Sequence, residues 1–382
     1  MSVKDFTKKY YVKRTNTNCV KWDASKAQGL IPMWIADMDF KTDEHIISGL
    51  TRRIEHGAFG YSLSPKDYFD AFIAWHQRRH DVTYDKDWIR FTSGAVDGIV
   101  QCLYAFTEEK DAVLITTPVY PPFSGSIKRT GRTLVTSPLL VEDNYCSFDY
   151  RDIERKFKKK NVKAMILCSP HNPLGRVWKK GELEELFDLC QKYNVLVISD
   201  EVHGDLIMPD QEFVPALSLK KYHDNVVSLS AVSKTFNLAI FYHSHVIIPN
   251  RKLRKIFDDM QYKYHKEDPN EFSLLASYYG YKHGDEWLDG LLEVVYDNYK
   301  YLYKRLSPYC DILPLEGSYL CFVNFRDNVE EAADFLKEDC GILANPGESF
   351  GKGYETWARF NLATSHAVIK KACDAIIKAL DK

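Results

Sequence analysis

No stretch of the 382-residue chain approaches 18 consecutive apolar residues, so no helix is expected to cross a membrane. The opening segment, MSVKDFTKKYYVKR, lacks the apolar run of a secretory signal, and a cytoplasmic protein is expected. An excess of either charge is missing too. The 51 Lys and Arg against 53 Asp and Glu leave a formal net charge of -2, which provides no field to gather nucleic acid or an anionic membrane. The nine cysteines contain no CxxC pair, and several lie in apolar runs such as MILCSP and FDLCQKY, so they read as buried thiols of a reducing compartment. No GxGxxG follows a candidate strand, which weakens a dinucleotide reading. The string GESFGKG, residues 347–353, is one residue short of a phosphate-binding P-loop and lacks its Ser or Thr, so nucleoside triphosphate binding is not expected there. Internal repeats, low-complexity tracts and flexible linkers are absent as well.

What is present is ordinary globular material: 45% hydrophobic, 14% aromatic and 27% charged residues, with 19 Gly and 15 Pro. The length exceeds a single domain of about 150 residues, which predicts one large domain and a smaller one sharing its core. Short apolar runs, each followed by turn residues and a helical pattern, predict an α/β fold with a mainly parallel sheet. The candidate strands are WIRFTS (88–93), DAVLITT (111–117), KAMILCS (163–169), NVLVISD (194–200) and VVSLS (226–230). Between the third and fourth, KKGELEELFDLCQKYN spaces Leu183, Leu186, Phe187 and Cys190 as one face of a crossover helix. From about Asp285 the pattern changes to a long tyrosine-rich helix, short strands and a terminal helix. Residues 45–284 are therefore expected as the large domain, and 1–44 with 285–382 as a smaller α+β domain.

In an open parallel sheet the ligand lies beyond the carboxyl ends of the strands. The residues that follow these runs supply a lysine (Lys234), a strand-end acid (Asp200), an amide (Asn172), an aromatic ring (Tyr120) and a glycine-opened helix start (Ala95, Val96). This set fits pyridoxal 5'-phosphate. A desolvated lysine can form a Schiff base and later act as base. A buried acid can keep the pyridine nitrogen protonated. Asn172 can donate to the ring's phenolate oxygen, Tyr120 can stack on the ring, and the amides of Ala95 and Val96 can hold the phosphate at a helix N-terminus. His203 reads as a group beside Asp200 able to orient it, and Ser233 adjoins the lysine. His243 and His245 place two imidazoles on one strand face without a third ligand, so no metal site is expected. The run Arg155 to Lys160 reads as a solvated helix end.

The motifs PMWIADMDF (32–40), HGAFGYS (56–62), TPVYPPF (117–123), SPHNPLGRVW (169–178), SDEVHGDL (199–206) and SKTFNLA (233–239) resemble those of fold-type I pyridoxal-phosphate enzymes. More narrowly, they resemble the MalY/PatB branch of cystathionine β-lyases and related carbon-sulfur lyases. The match runs in order from about Pro32 to Thr364. The resemblance implies a homodimer in which Tyr61 reaches the neighbouring subunit's cofactor phosphate. It also implies that Arg359 clamps the substrate α-carboxylate, that Trp34, Ala36 and Asp37 orient the amino acid, and that the loop Asn345-Pro346-Gly347 helps the small domain close. Two departures stand out: Ile240 to His245 is bulkier than the family's usual glycine-led stretch, and Asp97 follows Val96 where an apolar residue or proline is usual. The implied activity is β-elimination on L-cystathionine or a related L-cysteine S-conjugate, giving a thiol, pyruvate and ammonia, with Lys234, Tyr120 and Asp200 catalytic. An aminotransferase with the same cofactor site, and a cofactor-bearing regulatory protein, are the alternatives.

Overall fold

The computed structural model describes residues 1–142, 144–266 and 269–381. Its centre is a seven-stranded sheet of β1 (Ile89–Thr92), β2 (Ala112–Thr117), β3 (Thr133–Pro138), β4 (Val162–Cys168), β5 (Leu196–Asp200), β6 (Val226–Ser230) and β7 (Ser244–Ile247), in the order β1-β7-β6-β5-β4-β2-β3. The strand β7 runs antiparallel to both its neighbours, and the remaining pairings are parallel. The five strands expected from the sequence are all present.

Both faces of this sheet are covered, which is why its inner strands read as unbroken apolar runs. Val113, Leu114, Met165, Ile166, Val197 and Ile198 are fully buried. The crossover helix Lys180–Lys192 joins β4 to β5 and buries the expected face of Leu183, Leu186, Phe187 and Cys190. Two strands escape the apolar-run criterion. The edge strand β3 alternates exposed and buried positions, and β7 carries Ser244 and His245 in the polar segment after the lysine. All nine cysteines are buried. Among the described residues no helix is long and apolar enough to cross a membrane.

A second, antiparallel sheet of β8 (Asp311–Ile312), β9 (Leu320–Asn324), β10 (Asn345–Pro346) and β11 (Trp357–Asn361) has the order β8-β9-β11-β10. The long helix Asp285–Leu306 and the terminal helix His366–Leu380 pack on each other beside it. The chain's first helix, Val3–Tyr10, joins this unit by seating Phe6 against Trp287 and Gly290. Any side chain at Gly290 would collide with the Phe6 ring, since a Cβ there would lie 2.5 Å from it. The strand Ile31–Pro32 also pairs with Ile342–Leu343. The strip that follows, Met33 to Phe40, is thereby led across the carboxyl edge of the large sheet.

Candidate active site

A cavity of about 280 Å³ opens where β1, β4, β5 and β6 end. Lys234, Asp200, Asn172, Tyr120, His203, Ser233, Ala95, Val96 and Ala36 all border it, so most of the sequence-nominated residues converge on one space.

Lys234 follows β6 and donates from Nζ to the Ala36 carbonyl at 3.0 Å. Desolvation and the nearby Arg359 charge push its amine down to about 8, with Asp37 and Asp200 pulling the other way. Thr235, beside it, is anchored by its hydroxyl to Asp205 Oδ2 at 2.7 Å, while Asp205 Oδ1 holds the Trp75 indole and His80. Asp200 ends β5 and is nearly inaccessible. Burial pushes its carboxyl up to about 6, opposed by the Val202 N–H and the Lys234 charge. A cation placed against this carboxylate would return it to the ionised form.

Asn172 accepts from Arg359 Nη1 through Oδ1 at 2.9 Å, which leaves its NH2 as the group available to a cofactor oxygen. The Tyr120 phenol is pushed up by burial and by Asp200, so it keeps its proton at neutral pH. Burial pushes His203 down to about 3, leaving a neutral ring whose Nδ1 lies 3.1 Å from the Ser318 hydroxyl.

Beyond β1 the helix Ala95–Phe106 starts at Gly94, whose φ of 95° belongs to the region that favours glycine. No side chain caps this helix, and its first residues, Ala95 and Val96, border the cavity, so their amides are available to an anion. The acid at Asp97 is accommodated locally, where Oδ2 accepts from the Ser93 N–H at 2.9 Å and from Gln101 at 2.7 Å. Among the described residues bordering the cavity, Lys234 is the single cation.

Arg359 lies on β11, 5% exposed, with its guanidinium over the Phe350 ring. Its Nη2 donates to Asn345 Oδ1 at 2.7 Å, its Nε has no partner, and no acid pairs with it among the described residues. A buried cation in this condition can pair with an incoming carboxylate.

Two residues expected to orient a substrate do not border the cavity. The Trp34 indole donates to the Lys21 carbonyl at 3.0 Å, and the Asp37 carboxylate pairs with Arg14. The turn between them sends Ala36 to the cavity instead. Tyr61 is fully exposed and lies away from its own chain's cavity. In the bulky segment, Ile240 and Tyr242 are largely exposed, at 79% and 71%, while Tyr242 also borders the cavity together with Ala239 and His243. His243 and His245 share the Tyr68 hydroxyl, at 2.8 and 2.9 Å from their Nε2 atoms. Sequence reasoning missed Asn345 and Asn361 as partners of the active-site strip, along with Ser318, Phe350 and Asp205. Only Asn345, in its Asn-Pro-Gly turn, carried a local signal.

The comparisons agree with this geometry. The family model described as aminotransferase class I and II matches residues 42–376. The chain is 34% identical over 379 residues to cystathionine beta-lyase PatB of Bacillus subtilis, covering 96% of this chain and 98% of that one. Among solved structures, PLP-containing cystalysin from Treponema denticola superposes with a TM-score of 0.92 at 33% identity, covering 97% of each chain. The PLP-bound C-S lyase of Staphylococcus hominis, in complex with L-cycloserine, gives 0.91 at 30% identity over 97% of this chain and 98% of that one. With its sheet order, its lysine after β6 and these matches along nearly its whole length, the chain belongs to the aminotransferase class I and II family, with the fold of the PLP-bound carbon-sulfur lyases.

Proposed function

We propose that the chain is a pyridoxal 5'-phosphate-dependent carbon-sulfur β-lyase acting on L-cystathionine or related L-cysteine S-conjugates. The observation that carries this reading is the pairing of a cavity lysine of lowered basicity with a buried Arg359 that has no acid partner among the described residues and is hydrogen-bonded to Asn172 at the cavity wall. In this reading residues 45–284 hold the cofactor and the remaining segments form the smaller domain. Lys234 would hold the cofactor, Asp200 would keep a proton on the ring nitrogen with His203 beside it, and Asn172 would donate to the phenolate oxygen. Tyr120 would stack on the ring, and the amides of Ala95 and Val96, with Ser233, would hold the phosphate.

Bound there, pyridoxal 5'-phosphate supplies an electron sink for the pair left at Cα. Arg359 binds the substrate carboxylate in a planar fork and so fixes which Cα bond faces Lys234. The Lys234 amine would be the base that takes the Cα proton. Tyr120, whose burial keeps it protonated, is placed to give a proton to the departing sulfur. The thiol leaves, and the remaining three-carbon enamine takes up one water to end as pyruvate and ammonia.

Tyr61 is read as a phosphate ligand of the partner subunit's site, in a homodimer. Its complete exposure, beside exposed Phe59 and Leu63, leaves an apolar face that a second copy would cover. The deciding experiment is incubation of the purified holoenzyme with L-cystathionine. Release of pyruvate with a thiol supports the lyase. Amino transfer to an added keto acid without pyruvate would make it an aminotransferase, and binding without turnover would make it a regulatory protein.

A further inference from the structure

Ile35 lies in the left-handed region, with φ +46°. A β-branched residue meets steric conflict there and stays only where its surroundings hold it. Two carboxamides of the small domain do so. Asn345 Oδ1 accepts from the Ile35 N–H at 3.0 Å, and Asn361 Nδ2 donates to the carbonyls of Ile35 and Asp37 at 2.7 and 2.6 Å. Between those carbonyls stands Ala36, whose own carbonyl accepts from Lys234 Nζ at 3.0 Å. The same Asn345 oxygen also accepts from Arg359 Nη2 at 2.7 Å. Both of its partners are donors only, so the oxygen end of the carboxamide is the end that faces them. A single atom therefore joins the guanidinium to the strained turn that holds the amine.

We propose that Asn345 is a positioning residue which, by accepting from Arg359 and Ile35 together, sets the Ala36 carbonyl against the Lys234 amine and fixes that amine relative to a carboxylate held by Arg359. The proposal rests on the reading of Lys234 as the base and Arg359 as the carboxylate clamp. Proton transfer from Cα depends on the distance between the clamped carboxylate, whose carbon is one bond from Cα, and the amine that must reach that Cα. Errors of about 1 Å in such placement cost on the order of a hundredfold in rate. Backbone register supports the coupling, since Asn345 lies directly opposite Arg359 in the β10–β11 ladder.

The test uses three variants and two readouts. In the holoenzyme, Asn345→Ala should lower kcat about tenfold or more, with a smaller change in KM, as expected for a misplaced base. Adding Ile35→Gly to that variant should restore kcat to within about threefold of wild type, because glycine takes a positive φ without being held. A residue needed only for packing would not be rescued by a second, entropically costly substitution. Asn345→Asp keeps the oxygen that Ile35 needs but sets a carboxylate against Arg359. It should raise KM by roughly a hundredfold, the scale of a charge-assisted hydrogen bond, while kcat stays within about threefold.

The second readout needs no cofactor. In the apoprotein, acetylation of Lys234 by acetic anhydride, followed by peptide mass mapping, should be about fivefold faster in Asn345→Ala, where the amine has lost its acceptor, and should return to the wild-type rate in the Ile35→Gly double variant. Unchanged kcat and labelling in Asn345→Ala, or a double variant as impaired as the single one, would overturn the proposal. If Asn345→Ala does not fold, Asn345→Asp decides, because a loss of kcat there comparable to its rise in KM overturns the separation of roles. If wild-type enzyme eliminates no thioether, the lyase reading falls while the labelling comparison still tests Asn345.

Discussion

Arg359 and Asn172, 187 positions apart in the chain, share a 2.9 Å hydrogen bond from Nη1 to Oδ1. It ties β11 of the small sheet to the loop after β4, so the residue nominated for the substrate carboxylate is oriented by the residue nominated for the cofactor's phenolate oxygen. Occupation of either site is therefore felt at the other through one carboxamide. Burial pushes the Arg359 guanidinium down to about 10, which still leaves it charged at neutral pH.

Replacement of Arg359 by Ala should cost roughly 1.5 to 3 kcal/mol of transition-state binding for α-carboxylate substrates, the value of a hydrogen bond to a charged group. At about 1.4 kcal/mol per tenfold, that is a loss of roughly ten- to two-hundredfold in kcat/KM. The discriminating measurement compares a thioether substrate with its α-amide. Wild type should reject the amide strongly and Arg359→Ala much less, whereas equal rejection by both would make Arg359 structural.

The Lys234 amine, pushed down to about 8, should be modified by acetic anhydride in the apoprotein with a midpoint near pH 8. Exposed lysines should continue to gain reactivity toward about pH 10.4. The sign for stability follows from the folded amine being the more acidic. Holding it costs stability at neutral pH, and that cost disappears as pH rises from about 8 toward the unfolded value near 10.4. Because the Arg359 charge is the second cause of the shift, Arg359→Ala should move the labelling midpoint upward. A midpoint of about 10 in wild type would remove the argument for Lys234 as base.

Asp200→Asn should keep the cofactor yet slow Cα deprotonation by on the order of 10² to 10³, the scale of losing one preorganised electrostatic group. Exchange of the Cα proton for deuterium, followed by NMR, isolates that step from product release. Near-wild-type exchange would show that the ring nitrogen has another partner.

Much of this site is legible in the sequence because its chemistry follows the architecture. Lys234, Asp200 and Asn172 each come directly after an apolar run, where an α/β sheet presents its ligand edge. The strip PMWIADMDF is legible as a motif but not in its details. The turn at Ile35 depends on a positive φ that no pattern announces, and it sends Ala36 rather than Trp34 or Asp37 to the cavity. The Asn345 to Ile35 bond spans 310 positions, beyond any local spacing rule. The strands β3 and β7 are hidden because one is a half-exposed edge and the other is polar next to the site.

Tyr61 offers the sharpest test of the homodimer reading. Its ring is fully exposed and does not border its own cavity, where Lys234 is the single cation among the described lining residues. A phosphate held there would lean on helix amides and neutral donors, so a hydroxyl from a second copy would have a measurable effect. Tyr61→Phe should weaken cofactor retention by roughly ten- to two-hundredfold, as for a hydrogen bond to a charged group. Mixing Tyr61→Phe chains with Lys234→Ala chains then separates the two geometries. If Tyr61 serves the partner's site, each hybrid has one site carrying both lesions and one carrying neither, and at limiting cofactor the mixture should regain activity above either parent. If Tyr61 serves its own chain, every site in the hybrid carries one lesion, and no recovery should appear even with subunit exchange demonstrated by mass.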